Sequence, residues 1–198
     1  MLFRSSSTSA GSASRGSHRT PRAARKISRG RYVADVPWWR PPFLASFRRG
    51  SFRFLMVAAH VRWGEQAAAR RSELAALAEW ICGRAKERYF GERDVLVVGD
   101  FNVSAIHDGD ALEALTSRGL VTAPGIEVEV TTDLARNKRY DGIMCLPQVR
   151  ARFTGRAGAL DFYAGDHRAL FPGRRMTKTA FTFQISDHLP LWAELSVA

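Results

Sequence analysis

Apolar positions along this chain fall into two rhythms. "FRFLMVAAH" (52–60) and "VLVV" (95–98) are short, nearly continuous apolar runs, the pattern of strands covered on both faces. Phe43–Arg48 reads as a strand ahead of the first run, with Gly50-Ser51 as the turn that closes a hairpin. Between the runs lies "GEQAAARRSELAALAEWICGRAKERYF". There Leu74, Leu77, Trp80 and Ile81 recur at helical spacing, charges occupy the other faces and Ala is abundant, so the spacing predicts an amphipathic helix. A strand over Asp94–Val98 follows. "DGDALEALTSRGL" (108–120) predicts a second helix, with acids in its first turn and Gly119 near its end. "RYDGIMCL" (139–146) reads as a further strand, and "RFTGRAGALDFYAGDHRALF" as loop with some helix. "AFTFQISDHLPLWAEL" (180–195) reads as an alternating strand, interrupted at Ser186-Asp187-His188 and resumed at "LPLWAEL". This order predicts α/β or α+β layering rather than a helical bundle or a pure β fold.

Composition changes the picture at one end. Of 198 residues, the first 50 hold eleven Arg or Lys against one acid, Asp35. The remainder holds nineteen basic and eighteen acidic residues, so almost all of the net charge of +11 belongs to the N-terminal part. Such a segment attracts nucleic acid or anionic surfaces nonspecifically and carries no information about fold. Residues 1–36 are expected to be a basic, low-complexity, disordered tail, and residues 37–198 a domain. The Arg- and Ser-rich start resembles an organelle transit peptide in composition, but it has too few large apolar residues for an amphipathic helix. Cys82 and Cys145 form no CxxC pair, which points to two buried thiols in a reducing compartment, the cytoplasm. No apolar run approaches the ~20 residues of a membrane span.

The apolar strands share one oddity: titratable groups interrupt them. These are His60, the pair Asp100 and Asn102, Asp141 beside Tyr140, and the pair Asp187-His188. Asp100 and Asn102 would point to one side if extended geometry persisted past Gly99, aiming a carboxylate and an amide at a metal or a water. The alternative there is a turn, since Asp and Asn are common turn formers. Each of the others also has an ordinary reading: a structural histidine, a cap, a loop. Their joint occurrence in one small domain favours chemistry.

Four motifs, "GDFN" (99–102), "YDGI" (140–143), "SDHLP" (186–190) and the strand-terminal His60 in "MVAAHVRWG", together resemble the endonuclease/exonuclease/phosphatase superfamily, the DNase I-like metal-dependent phosphodiesterases. "WRPPFLASFRRGSFRF" looks like that family's hairpin ahead of the histidine. The match runs from about residue 37 to 198 in the family's motif order. It implies a DNase I-like layered β-sandwich flanked by helices, here its C-terminal portion only. Implied roles follow residue by residue. Asp100 would orient or deprotonate the attacking water, and Asn102 would hold that water or a phosphate oxygen. Asp187 would be a ligand of Mg²⁺, or of Mn²⁺ in its place. His188 would contact a nonbridging phosphate oxygen, with Asp141 on its other ring nitrogen. His60 would be a second phosphate contact or the acid for the leaving group.

The resemblance also implies a preceding half-domain, bearing an Asn, a Glu that is a principal metal ligand and an acid that partners the residue matching His60. Only 36 residues precede Pro37, and Glu65 is the first glutamate, so that Glu has no counterpart and the chain reads as N-terminally truncated. The implied function is a metal-dependent phosphodiester hydrolase, foremost a nuclease acting on nucleic acid. The alternatives are a catalytically impaired fragment or binding remnant of the fold, or a phosphoinositide or sphingolipid phosphodiesterase with a phospholipid headgroup as partner. Trp38, Trp39 and Trp63 either stack on bases or pack in the core.

Overall fold

A computed structural model describes residues 25–28, 31–34, 38–64, 67–87, 93–103, 109–126, 130–162, 164–165 and 167–197. Nine strands and three α-helices are described: β1 (Arg25–Ser28), β2 (Arg31–Ala34), β3 (Phe43–Arg49), β4 (Phe52–His60), α1 (Ala67–Ala85), β5 (Val95–Asp100), α2 (Gly109–Thr116), β6 (Val121–Thr122), β7 (Asp141–Cys145), β8 (Phe153–Ala159), α3 (Lys178–Gln184) and β9 (Leu191–Leu195). Short 3₁₀ turns cover Pro147–Arg152 and His167–Leu170.

The main sheet runs β3-β4-β5-β7-β6, and a second, two-stranded sheet pairs β8 with β9. β4 and β5 are parallel, because α1 carries the chain back over the sheet between them; the other pairs are antiparallel. Val95–Val98 in β5 are buried at every position, as a strand covered on both faces requires. α1 contributes Leu74, Leu77, Ala78 and Ile81 to that cover, α2 contributes Ala111 and Leu115, and the β8–β9 pair contributes Phe153 and Leu191 to the same core. Trp80, expected on the apolar stripe, is only partly buried at its margin.

Within the stretch 1–36, expected as a tail, β1 and β2 pair as a hairpin with Ile27 opposite Tyr32 in register; residues 1–24, 29–30 and 35–36 lie outside the described residues. Three expectations need correction. The second helix, expected over 108–120, is described from Gly109 to Thr116; Asp108 lies outside the described residues.

The stretch read as loop contains β8. Gly155, Arg156 and Gly158 give it little strand propensity, but pairing with β9 imposes the conformation. Thr154 Oγ1 donates to Glu194 Oε2 at 2.7 Å and Arg156 Nη1 donates to Glu194 Oε1 at 3.2 Å across that pair. The stretch beginning "AFTFQ", read as strand, is α3. Thr177 caps it, its hydroxyl accepting from Ala180 N at 3.1 Å. The Phe181, Phe183, Ile185 alternation does not make an apolar face: Phe181 is buried, whereas Phe183 is 85% and Ile185 50% exposed. Short apolar runs are ambiguous between helix and strand, and here the cap decides.

Candidate active site

Strand register assembles the site. The parallel pairing sets His60 beside Asp100, and the antiparallel pairing sets Asp100 opposite Asp141. Three polar residues from three adjacent strands therefore form one row across the sheet. His188 joins the row from the loop between α3 and β9, with Nδ1 2.8 Å from Asp141 Oδ2. That loop is fixed through its backbone. Leu189 N donates to Thr132 O at 2.6 Å, His188 N donates to Ser186 Oγ at 2.9 Å, and His188 makes an isolated bridge to Asp133. Thr132 is fully buried, and its hydroxyl accepts from Asp141 N at 3.1 Å. Thr132 thus holds Asp141 directly and His188 through its neighbour Leu189. The Tyr140 ring stacks on His188, 5.2 Å between centroids at 20°.

The same contacts set the charges. The hydrogen bond that Asp141 accepts from the ring raises the His188 pKa to about 8 against the opposing cost of burial, with the carboxylates Asp141, Asp100 and Asp187 adding to the rise. His188 is then an imidazolium at neutral pH, with Nδ1–H on Asp141 and Nε2–H left as a donor. The Asp100 pKa is raised, first by burial and then by the nearby negative charge of Asp141. The hydrogen bond from Asn102 N and the positive charge of His188 act against the rise. Asp100 therefore holds a proton more readily than an exposed aspartate, as a group that takes one from water must.

Asn102 differs from the extended expectation. Its φ of 53° is left-handed, a conformation that Asn tolerates better than most residues. The chain turns there, so Asp100 and Asn102 do not converge as alternate residues of a strand would. Asn102 N donates to Asp100 Oδ1 at 2.9 Å, Asn102 Nδ2 donates to Val61 O at 2.8 Å, and the side chain is 3% exposed. This residue orients Asp100 and ties the end of β5 to the chain leaving β4.

His60 faces Asp100, with Nε2 3.8 Å from Asp100 Oδ2. Its other ring nitrogen meets a residue to which the sequence assigned no role: Arg40 Nη1 lies 3.0 Å from His60 Nδ1. Nothing in the spacing of "WWRPP" signals this contact, which depends on the chain folding back across twenty residues. The three tryptophans divide. Trp38 packs against the core, whereas Trp39 and Trp63 are 44% and 72% exposed, and Trp39 meets His60 edge-on at 5.5 Å.

Asp187, the expected Mg²⁺ ligand, is exposed. Among the described residues no group of three or more His, Cys, Asp or Glu side chains could hold a metal ion. Mg²⁺ asks for near-octahedral oxygen coordination, usually through one or two carboxylates together with substrate phosphates and waters. Asp141 is committed to His188 and Asp100 to Asn102. The described residues therefore do not fit that ion by themselves. Among them Cys82 and Cys145 are free, Cys145 buried and Cys82 partly so.

No family model matches the chain. A curated relative, a "Deoxyribonuclease" from Thioalkalivibrio sp., is 35% identical over 128 residues, covering 62% of this chain and 34% of that protein. Two endonuclease/exonuclease/phosphatase family proteins of solved structure share the fold. The one from Bacteroides thetaiotaomicron has a TM-score of 0.54 at 17% identity, covering 91% of this chain and 64% of that one. The one from Leptotrichia buccalis has a TM-score of 0.52 at 14% identity, with coverages of 79% and 53%. A 3′ phosphatase from Neisseria, bound to a product DNA hairpin, has a TM-score of 0.52 at 15% identity, covering 93% and 72%. The chain thus spans about a third of the curated relative and between half and three quarters of these structures. In its strand order, its row of polar strand ends and its likeness to these proteins, the described chain has the DNase I-like fold of the endonuclease/exonuclease/phosphatase proteins.

Proposed function

We propose that this chain supplies the carboxylate–imidazole part of a site that hydrolyses phosphoesters of nucleic acid, in the manner of a nuclease. One observation carries the reading: His60, Asp100 and Asp141 lie in register across three strands, with His188 bonded to Asp141 at 2.8 Å. Such a row can receive a tetrahedral phosphorus centre with donors on one side and a base on the other. His188 Nε2–H would bind a nonbridging oxygen, and its imidazolium charge would offset the charge developing there. Asp100, oriented by Asn102, would take the proton of the attacking water as the P–O bond to the leaving oxygen breaks. His60 would contact the phosphate or supply a proton to that oxygen. Nucleic acid as substrate is favoured by the names of the relatives, a deoxyribonuclease and a phosphatase bound to DNA. The exposed Trp39 beside His60 offers a base a surface to lie on. Mg²⁺ or Mn²⁺ would need oxygen donors beyond those described, and no step above passes through a metal.

The test is hydrolysis of plasmid DNA and of bis(p-nitrophenyl) phosphate, with and without Mg²⁺. Wild type is compared with Asp100→Ala and His188→Ala. Each substitution is expected to lower the rate by about 10²–10⁴-fold. Folded wild type with no hydrolysis, or a rate that both variants retain, overturns the reading.

A further inference from the structure

The geometry points to Arg40 as a positioning residue that fixes the tautomer of His60, making His60 a neutral N–H donor to a phosphate oxygen rather than the acid for the leaving group. A guanidinium carries donors only. Arg40 Nη1 lies 3.0 Å from His60 Nδ1, so Nδ1 must accept; an N–H there would set two donors face to face. The ring proton is then on Nε2. Nε2 is 3.8 Å from Asp100 Oδ2, too far for a hydrogen bond, so its N–H remains free for a substrate oxygen beside the base. A neutral imidazole N–H gives up its proton far less readily than an imidazolium but is a good hydrogen-bond donor, so the leaving alkoxide takes its proton from water.

Arg40 is not loose in this position. Its Cζ sits 4.5 Å above the Trp39 ring, and that ring meets the His60 ring edge-on at 5.5 Å. Trp39 N donates to Glu73 Oε1 at 3.0 Å, while Arg62 N, two residues beyond His60, donates to Glu73 Oε2 at 3.1 Å. Glu73 is 7% exposed on α1. A single buried carboxylate therefore ties the chain before β3 to the chain after β4 and sets the spacing of Arg40 and His60. The family resemblance implied an acidic partner for this histidine. An acid would draw the proton to Nδ1 and leave Nε2 to shuttle one; the arginine reverses that arrangement.

The assignment of roles rests on the proposed hydrolysis, whereas the tautomer does not, and two measurements separate them. Long-range ¹H–¹⁵N spectra of the labelled chain are expected to show the His60 proton on Nε2 in wild type. Arg40→Met should give a mixture of tautomers, and Arg40→Lys should restore Nε2–H because its ammonium also only donates. A wild-type proton on Nδ1, or a tautomer unchanged in Arg40→Met, overturns the proposal even if the chain hydrolyses DNA. In the kinetic arm, Arg40→Met should lower kcat on the order of tenfold with KM little changed, as expected for loss of a group that fixes an imidazole's tautomer. His60→Gln, whose amide N–H can replace Nε2–H, should retain well above the activity of His60→Ala. Equal loss in those two variants would restore His60 as the acid and overturn the donor role. A wild type without hydrolysis would sink the proposed function, and the spectra would still decide the tautomer.

Discussion

At the scale of single residues, His188 and Asp100 make opposite statements about pH. The folded His188 pKa of about 8 stands above its ordinary 6.5 because Asp141 accepts from the ring. Its contribution to stability is therefore complete below about 6.5 and is lost as the pH rises through about 8. Denaturant unfolding across that window should show the loss in wild type and not in Asp141→Asn, and a His188 titration followed by NMR should move down in that variant. Catalysis that uses the imidazolium should fall over the same range. The raised Asp100 pKa carries a cost instead. Above the ordinary carboxylate pKa of 3.8 the buried charge works against folding, and below it the cost disappears. Asp100→Asn keeps an acceptor for Asn102 N and removes the charge. Its melting temperature is expected to exceed that of wild type at pH 7 and to converge with it near pH 3, while hydrolysis is lost. A group that destabilises its own fold is the kind of residue that chemistry, not packing, retains.

At the scale of elements, the row of site residues depends on how closely β4 and β5 approach. Gly99 has a φ of 143°, and a Cβ built on it would lie 1.9 Å from Ala59 O. Gly99→Ala must part the two strands at the His60–Asp100 step. It is expected to cost more than about 3 kcal/mol, read from urea unfolding, whereas Gly165→Ala, with nothing within 4 Å of its Cβ, should stay within about 0.5 kcal/mol of wild type. α3 is the other element to probe. It is seven residues long and held by Phe181, which is fully buried against Phe162 and Phe171. Phe181→Ala should cost about 3–5 kcal/mol and Thr177→Ala about 1 kcal/mol. Both should loosen the loop that carries His188, seen as lower protection of its amide against hydrogen exchange.

At the scale of the whole molecule, the net charge of +11 is divided so unequally that binding and chemistry should separate. Nucleic-acid affinity should fall linearly in log K with log salt concentration. Removing residues 1–24, with four arginines and no acid, should flatten that slope by up to about 0.9 for each arginine that meets a phosphate. Hydrolysis of bis(p-nitrophenyl) phosphate, which has no polyanionic backbone, should be unchanged by the deletion.

The sequence by itself determined the strands β3, β4, β5, β7 and β9, the long helix α1 and the motifs GDFN, YDGI and SDHLP. Each rests on information held within a few neighbouring residues: an apolar run, a helical stripe, a polar break at a strand end. The fold likeness followed from their order. Short or weakly patterned elements were not legible. β8 has glycines where a strand former would be expected and takes its shape from β9; α3 alternates like a strand but is held by its cap and one phenylalanine. Within the site, the same limit applies. Asp141 and His188 stood out as residues, but Thr132, which holds Asp141 and the neighbour of His188, and Arg40, which fixes the tautomer of His60, are ordinary in sequence. Only the tertiary structure decided their part. Hydrogen bonds are set by distances of a few tenths of an ångström between groups brought together by register and chain reversal, and no local pattern of residue types encodes those distances.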